Sequence, residues 1–527
     1  MTLTVISFVS FTLFVAWYAW YKTRKEDLST QEGYFLGGKS LTGIVIAGSM
    51  IMTNISTEHL VGMNGSSYKN GFIIVAWEVT SALALILAAV YFVPKYLKMG
   101  LTTIPQYLEM RFDAGTRSMV AFFLLVSFAV TLLPIVLFTG AINLESIFEV
   151  SSVLGVTHQE GLWVTVVCVG ILGAVYAVFG GLKAVAVSDT INGYGLLLGG
   201  ILVPLLALIM IGEGNPLSGI AKVFENSPEK FSVIGEKDSV LPFETLFTGL
   251  IINQIYFWCM NQTILQRALG AKNLKEAQKG LLLTGALKLL VPFIIILPGV
   301  IGFYYFGDSF MDDQDLVYPA LVKKVLPVGL KGVFAAIVMG AVLSTFNSVL
   351  NSASTIFSID IYKRIIQRSV SDKKLVRIGK VSAAVLAVSS ILAAPMVASA
   401  PEGLFQLLQQ LNGIFFIPIA SIMLAGFFTK KVTPTAAKSA LLVGLVFYIM
   451  ATFVLQVDIH FVHIWGIEFL LNCLVMFLVS YLWPYTSLTK NTYKYSDSQM
   501  KGWRFAGLVS AVLVVITVTV YIIFGSI

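Results

Sequence analysis

Of 527 residues, 57% are hydrophobic and 12% are charged, with mean hydropathy +0.86, whereas a soluble protein is about 25% charged. No soluble core hides that much apolar surface, which leaves an all-α polytopic membrane protein. The net charge of +7 does not indicate nucleic acid, because the basic residues lie in linkers between apolar segments.

Windows of about 20 apolar residues predict about 14 transmembrane helices. They begin near Thr2, Leu41, Phe72, Thr116, Gly161, Asp189, Pro242, Gln278, Leu330, Lys374, Glu402, Pro434, Asp458 and Phe505. The first lacks the basic start and small-residue cleavage site of a signal peptide, so it reads as a retained helix. Alternate linkers differ sharply in charge. One set, including Lys22, Lys95, Lys183, Arg267, Lys363, Arg364, Lys430, Lys490, Lys494 and Arg504, holds about 27 basic residues, and the other about seven. The positive-inside rule assigns the richer set to the cytoplasm and both termini to the outside. The longer linkers at 212–241 and 307–328 read as solvated outer loops. Cys168, Cys259 and Cys473 lie in apolar runs and the four histidines are scattered, so no disulfide, metal centre or cofactor is expected.

Polar groups inside the apolar segments carry the functional signal, because each costs several kcal/mol in hydrocarbon unless satisfied. The second segment contains Thr53-Asn54-Ile55-Ser56-Thr57-Glu58-His59, a run that predicts a broken helix exposing backbone carbonyls to an ion or solute. Glu78 follows in the third segment, with Thr80 and Ser81. The seventh is interrupted by Asn253-Gln254 and Asn261-Gln262 around an aromatic stretch. Lys288 stands in the eighth, and a buried lysine needs a carboxylate partner; Glu78 is the candidate. In the ninth, Ala341, Ser344, Thr345, Ser348, Asn351 and Ser352 share one helical stripe, suited to close helix packing or to a sodium ion. Gln409, Gln410 and Asn412 lie in the eleventh. Two interruptions about 200 residues apart suit an inverted repeat. The expected division is an extra helix and inner loop at 1–40, repeats at 41–212 and 242–429, and accessory helices at 430–527.

Together these residues resemble the solute:sodium symporter family, and within it the bacterial sodium/sugar cotransporters. The likeness rests on Gly33-Tyr34-Phe35-Leu36-Gly37-Gly38-Lys39-Ser40, on Asn54-Ile55-Ser56 with Glu58, and on Gly180-Gly181-Leu182-Lys183 leading to Ser188-Asp189. It extends to Gln266-Arg267-Ala268-Leu269 and to Asn351-Ser352-Ala353-Ser354-Thr355 running on to Tyr362. It implies a ten-helix core of two inverted repeats. It implies sodium held by the carbonyls of Met52, Ile55 and Ala341 and the hydroxyls of Ser344 and Thr345, with Asp189 receiving the ion as it leaves. It further implies a solute held by His59, Glu78, Ser81, Gln254, Lys288 and Gln409, and gated by Phe257. His59, Gln254 and Phe257 stand where such transporters carry glutamine, asparagine and tyrosine.

The expected function is sodium-coupled uptake of a polyhydroxylated solute, a monosaccharide, across the plasma membrane, the inner membrane of a bacterium. It needs no cofactor, enzyme chemistry or obligate protein partner. The alternatives are a sugar acid, another carboxylate or an amino acid, which would call for an arginine on a broken helix, and neither reads as having one. A sodium-linked sensor would carry an appended signalling domain, and none is seen.

Overall fold

The computed structural model describes residues 2–56, 58–397, 404–484 and 500–525. Thr57 of the polar run, Glu402 at the expected start of the eleventh segment, and Lys490 and Lys494 of the basic set lie outside the described residues. Among the described residues the chain is helical, and the one β-bridge joins Leu41 to Ala271.

The main helices are α1 (Thr2–Thr23), α2 (Gly43–Asn54), α3 (Glu58–Met99), α4 (Ala114–Phe148), α5 (His158–Val178), α6 (Gly180–Ile211), α7 (Gly249–Cys259) and α8 (Gln262–Leu269). They continue with α9 (Leu274–Phe306), α10 (Val328–Ile366), α11 (Asp372–Ala393), α12 (Leu404–Phe428), α13 (Pro434–Val454), α14 (Phe461–Leu482) and α15 (Ala506–Phe524). Twelve described helices are long and apolar enough to cross a membrane, against about fourteen predicted. The difference has a local cause. The second and seventh predicted segments are interrupted, and their first halves, α2 and α7, have 12 and 11 residues.

The interruptions follow from sequence. α2 ends at Asn54, and Ile55 takes φ −83, ψ 87, outside the helical well. α7 ends at Cys259; Met260 leaves the helix and the Asn261 side chain accepts from Thr263 N at 2.8 Å, capping α8. Past the first break, α3 reverses at Gly71, where φ is +70. Its register against α9 shows the reversal. Before the turn, Asn64 donates to Ile295 O at 2.8 Å and Tyr68 stacks edge-on against Phe303. After it, Glu78 meets Lys288, and Ala89 O accepts from Gln278.

Hydrocarbon gives little hydrophobic drive between helices, so small residues set their approach. A Cβ on Gly193 of α6 would stand 2.7 Å from Gly48 O of α2. That close backbone contact brings Ser49 of α2 within 2.8 Å of Asp189 on α6. A Cβ on Gly340 of α10 would strike Asn192 at 2.5 Å, so α10 packs equally tightly on α6.

The Gly180-Gly181 motif has a structural reason. Gly181 takes φ 62, ψ 178, and breaks the helical run between α5 and α6. The short helix Gln31–Leu36 docks there: the Tyr34 hydroxyl donates to Ala177 O and Val178 O at 3.3 and 3.2 Å. Its other side reaches α8 and α10, since Gln266 donates to Phe35 O at 2.7 Å and Tyr34 and Phe35 pack with Ile359, Leu375 and Val376.

This backbone region is essentially open to glycine alone, and forcing another residue into it costs about 1–3 kcal/mol. Gly181→Val is therefore expected to lower the melting temperature of the purified protein in detergent. An unchanged melting temperature would show that the kink carries no strain.

Candidate functional site

The ends of α2 and α7, the start of α3, and faces of α4, α8, α9, α10 and α12 enclose a cavity of about 70 Å³. It is lined by five of the six predicted solute residues, His59, Glu78, Gln254, Lys288 and Gln409, and by the predicted gate Phe257. Ser81 does not line it: its hydroxyl is buried and donates to the Glu78 carbonyl one turn back.

The Glu78–Lys288 pair forms as expected, with both residues 1% exposed. Lys288 Nζ also donates to Asn54 Oδ1 at 2.6 Å. The last residue of α2 is thus tied to α3 and α9 through one ammonium group, beside the break. His59 lies between two carboxylates, with Nδ1 3.7 Å from Glu58 and Nε2 3.6 Å from Glu78. Gln254 is engaged at both ends, donating to Trp77 O at 2.7 Å and accepting from Trp258 Nε1 at 3.1 Å. Trp77, Trp258 and Phe405 supply aromatic walls, with Phe405 edge-on to His59 and Trp77.

Side-chain oxygens left without a partner are found on Glu58, Asn253 and Asn412, all buried and all lining the cavity. The sequence flags each as an intramembrane polar group, yet residue type alone does not separate them from amides that only join helices. Trp77 and Phe405 carry no such signal, being aromatic residues in apolar runs.

The predicted sodium residues meet where α2 packs on α10. Met52, Ile55 and Ala341 are fully buried. Thr345 Oγ1 donates to Thr53 O at 3.0 Å, and Thr53 Oγ1 lies 3.1 Å from Ser348 Oγ. Ser344 Oγ is buried and has no hydrogen-bond partner. These are hard, neutral oxygen donors on two facing helices, one at the end of its helix. The set suits a hard monovalent cation. The small-residue stripe is buried along its whole length from Ala341 to Ser352, so it serves packing as well.

One expectation is corrected here. The sequence places Arg267 in a basic inner linker and reads the broken helices as free of arginine; Arg267 instead sits on α8, fully buried. It does not line the cavity. Its Nε donates to Ser49 at 2.9 Å, its other nitrogens reach Thr263 O and Ser348, and it lies 3.6 Å from Asp189. Ser49 donates in turn to Asp189 at 2.8 Å. The reason is helix breaking: once α7 stops at Cys259, the chain after Asn261 begins a new helix inside the protein. Further buried ionisable groups among the described residues lie in helices and off the cavity. Asp360 and Arg117 pair at 2.6 Å, joined by Glu109 and Arg364, and Glu468 is buried on α14.

A sodium:solute symporter family model matches residues 34–444. The chain is 43% identical over 521 residues to an uncharacterized symporter of Escherichia coli K12, covering 99% of this chain and 90% of that one. It is 35% identical over 437 residues to the sodium/glucose cotransporter of Vibrio parahaemolyticus, covering 79% of this chain and 78% of that one. It is 30% identical over 447 residues to the human sodium/myo-inositol cotransporter, covering 77% of this chain and 61% of that protein. The fold is similar to that of a Na+-coupled sialic acid symporter in a substrate-bound outward-open state, with TM-score 0.78, 20% identity, and 92% and 99% of the chains covered. Mhp1, a nucleobase-cation-symport-1 family transporter, matches at TM-score 0.52 and 16% identity, covering 88% and 96%. The chain belongs to the sodium:solute symporter family, and is a multi-pass membrane transporter rather than an enzyme.

Breaking a buried ion pair from one side costs about 3–5 kcal/mol, while replacing both partners by neutral groups can be close to neutral. Arg267→Ala should therefore sharply reduce the yield of folded protein in detergent. The double variant Asp189→Asn/Arg267→Gln should recover most of it. Equal losses in the single and the double would show that Asp189 is not the counter-charge of Arg267.

Proposed function

We propose that this symporter takes up a small polyhydroxylated solute, a monosaccharide, together with sodium, by alternating access between two inverted repeats at 41–212 and 242–429. The observation that carries the reading is the Glu78–Lys288–Asn54 cluster in an amide- and aromatic-lined cavity at the two helix breaks. Amides both donate to and accept from hydroxyls, carboxylates accept from them, and aromatic rings cover the apolar faces of a sugar. The similarity to sodium/glucose and sodium/myo-inositol cotransporters supports the same class.

In this reading sodium binds the carbonyls of Met52, Ile55 and Ala341 and the hydroxyls of Ser344 and Thr345. Its arrival orders the first break and so completes the solute site, which includes His59, Glu78, Gln254, Lys288 and Gln409. Phe257 covers the solute on the inner side. Asp189 receives the ion on release. The protein sits in the plasma membrane, a bacterial inner membrane, with both termini outside and the Lys/Arg-rich linkers inside. Coupling requires sodium to favour the solute-competent form, a reciprocal free energy. At ~100 mV one sodium charge contributes about 2.3 kcal/mol, or roughly 50-fold accumulation before any sodium gradient is added.

Thr345→Ala removes one of the proposed ligands. The sodium concentration for half-maximal uptake into proteoliposomes should rise about tenfold or more, a change of about 1.4 kcal/mol. Labelled galactose, glucose and myo-inositol, each with an inward sodium gradient or with potassium, form the panel. Uptake by the variant with unchanged sodium dependence would remove Thr345 from the ion site, and sugar uptake equal in potassium would remove sodium coupling of sugars.

A further inference from the structure

The cavity holds a carboxylate that the solute set above does not use. Glu58 opens the helix that resumes after the first break. It is 3% exposed and lines the cavity, and its Oε2 is buried with no hydrogen-bond partner. Its other oxygen lies 3.7 Å from His59 Nδ1, too far for a hydrogen bond. A buried carboxylate oxygen is costly to leave unpaired, so a ligand donor is the group this atom suits.

The charges around it constrain which ligand. Among the described lining residues Lys288 is the one lysine or arginine. Its ammonium is already shared by Glu78 and Asn54 and faces the Trp258 ring at 5.5 Å. Glu58 and Glu78 contribute two negative charges and Lys288 one positive. His59 adds none when neutral and one when protonated. The wall therefore carries a net charge of −1 or 0, and its cations, Lys288 and a protonated His59, already face Glu58 and Glu78, which leaves none free for a second carboxylate. In a low-dielectric site an added anion meets repulsion that no partner offsets.

We propose that Glu58 is a specificity-determining solute contact: its free oxygen accepts from a solute hydroxyl, and its charge bars anionic analogues. The site then admits neutral polyols and refuses the matching sugar acids. This rests on the polyol reading above and narrows it.

The test is sodium-driven uptake of labelled glucose, galactose and myo-inositol into proteoliposomes, with glucuronate and galacturonate as competitors. In the wild type a hundredfold excess of either uronate should leave uptake unchanged, while the unlabelled neutral sugar abolishes it. Glu58→Gln should raise KM for the neutral solute about tenfold and turn the uronates into competitive inhibitors. Glu58→Asp should keep the exclusion with a raised KM. Where a variant binds without transporting, thermal shift of the purified protein with sugar or uronate gives the same comparison. Uronate inhibition of the wild type as strong as that by neutral sugar overturns the proposal, whether or not the variants fold. So does a Glu58→Gln protein that keeps both KM and exclusion. If no neutral solute is taken up with sodium, the polyol reading itself fails, a result distinct from loss of discrimination.

Discussion

A helix that stops inside a bilayer leaves backbone carbonyls and amides with nowhere to bond, and hydrocarbon offers no water to take them. That constraint organises this molecule. The chain accepts it twice, at Ile55 and at Met260, and the polar side chains around each stop are arranged to bear it. Thr345 donates to a carbonyl freed at the end of α2, Lys288 holds the last side chain of α2, and Asn261 caps the helix that restarts as α8. Groups that satisfy a broken helix are also groups able to bind an ion or a hydroxyl, which is why the cavity and the breaks coincide.

Two buried ion pairs flank the first break, and each joins helices far apart in sequence. Glu78 and Lys288 link α3 to α9, and Asp189 and Arg267 link α6 to α8. Such pairs add little net stability, because desolvation consumes most of the Coulomb gain. What they provide is registration. Each is bonded through a neutral polar group to α2, Lys288 through Asn54 and Arg267 through Ser49. The helix that leads into the break is thereby held at Ser49 and at Asn54 by charges whose partners sit on different helices.

Much of this was readable in the residues. The polar run at 53–59 announced the first break, and a lone lysine in an apolar segment required a carboxylate, which Glu78 supplies. The Gly180-Gly181 motif entered only as part of the family likeness; the kink at Gly181 is what the backbone adds. What stayed hidden has a common cause: local sequence does not say which way a side chain points in a bundle. Arg267 lies just past the second break, among residues that read as a basic inner linker, so a buried guanidinium was counted as a loop charge. Ser81 lies one turn from Glu78 yet turns to its own helix backbone. Twelve described helices are long and apolar enough to cross unaided, two fewer than the predicted segments, because a window of apolarity runs across Ile55 and Met260 without sensing the backbone.

The bridge between Leu41 and Ala271 joins the approach to α2 with the exit from α8. Leu41 N donates to Gly270 O at 3.1 Å and Lys272 N to Leu41 O at 3.0 Å. Both bonds are made wholly by main chain, so the two interrupted segments share a fastening that no side chain encodes. Truncating Leu41 or Ala271 to a smaller residue leaves it in place. Alanine scanning is therefore blind to this tie, while proline at position 41, which lacks the N–H, cuts one of its two strands.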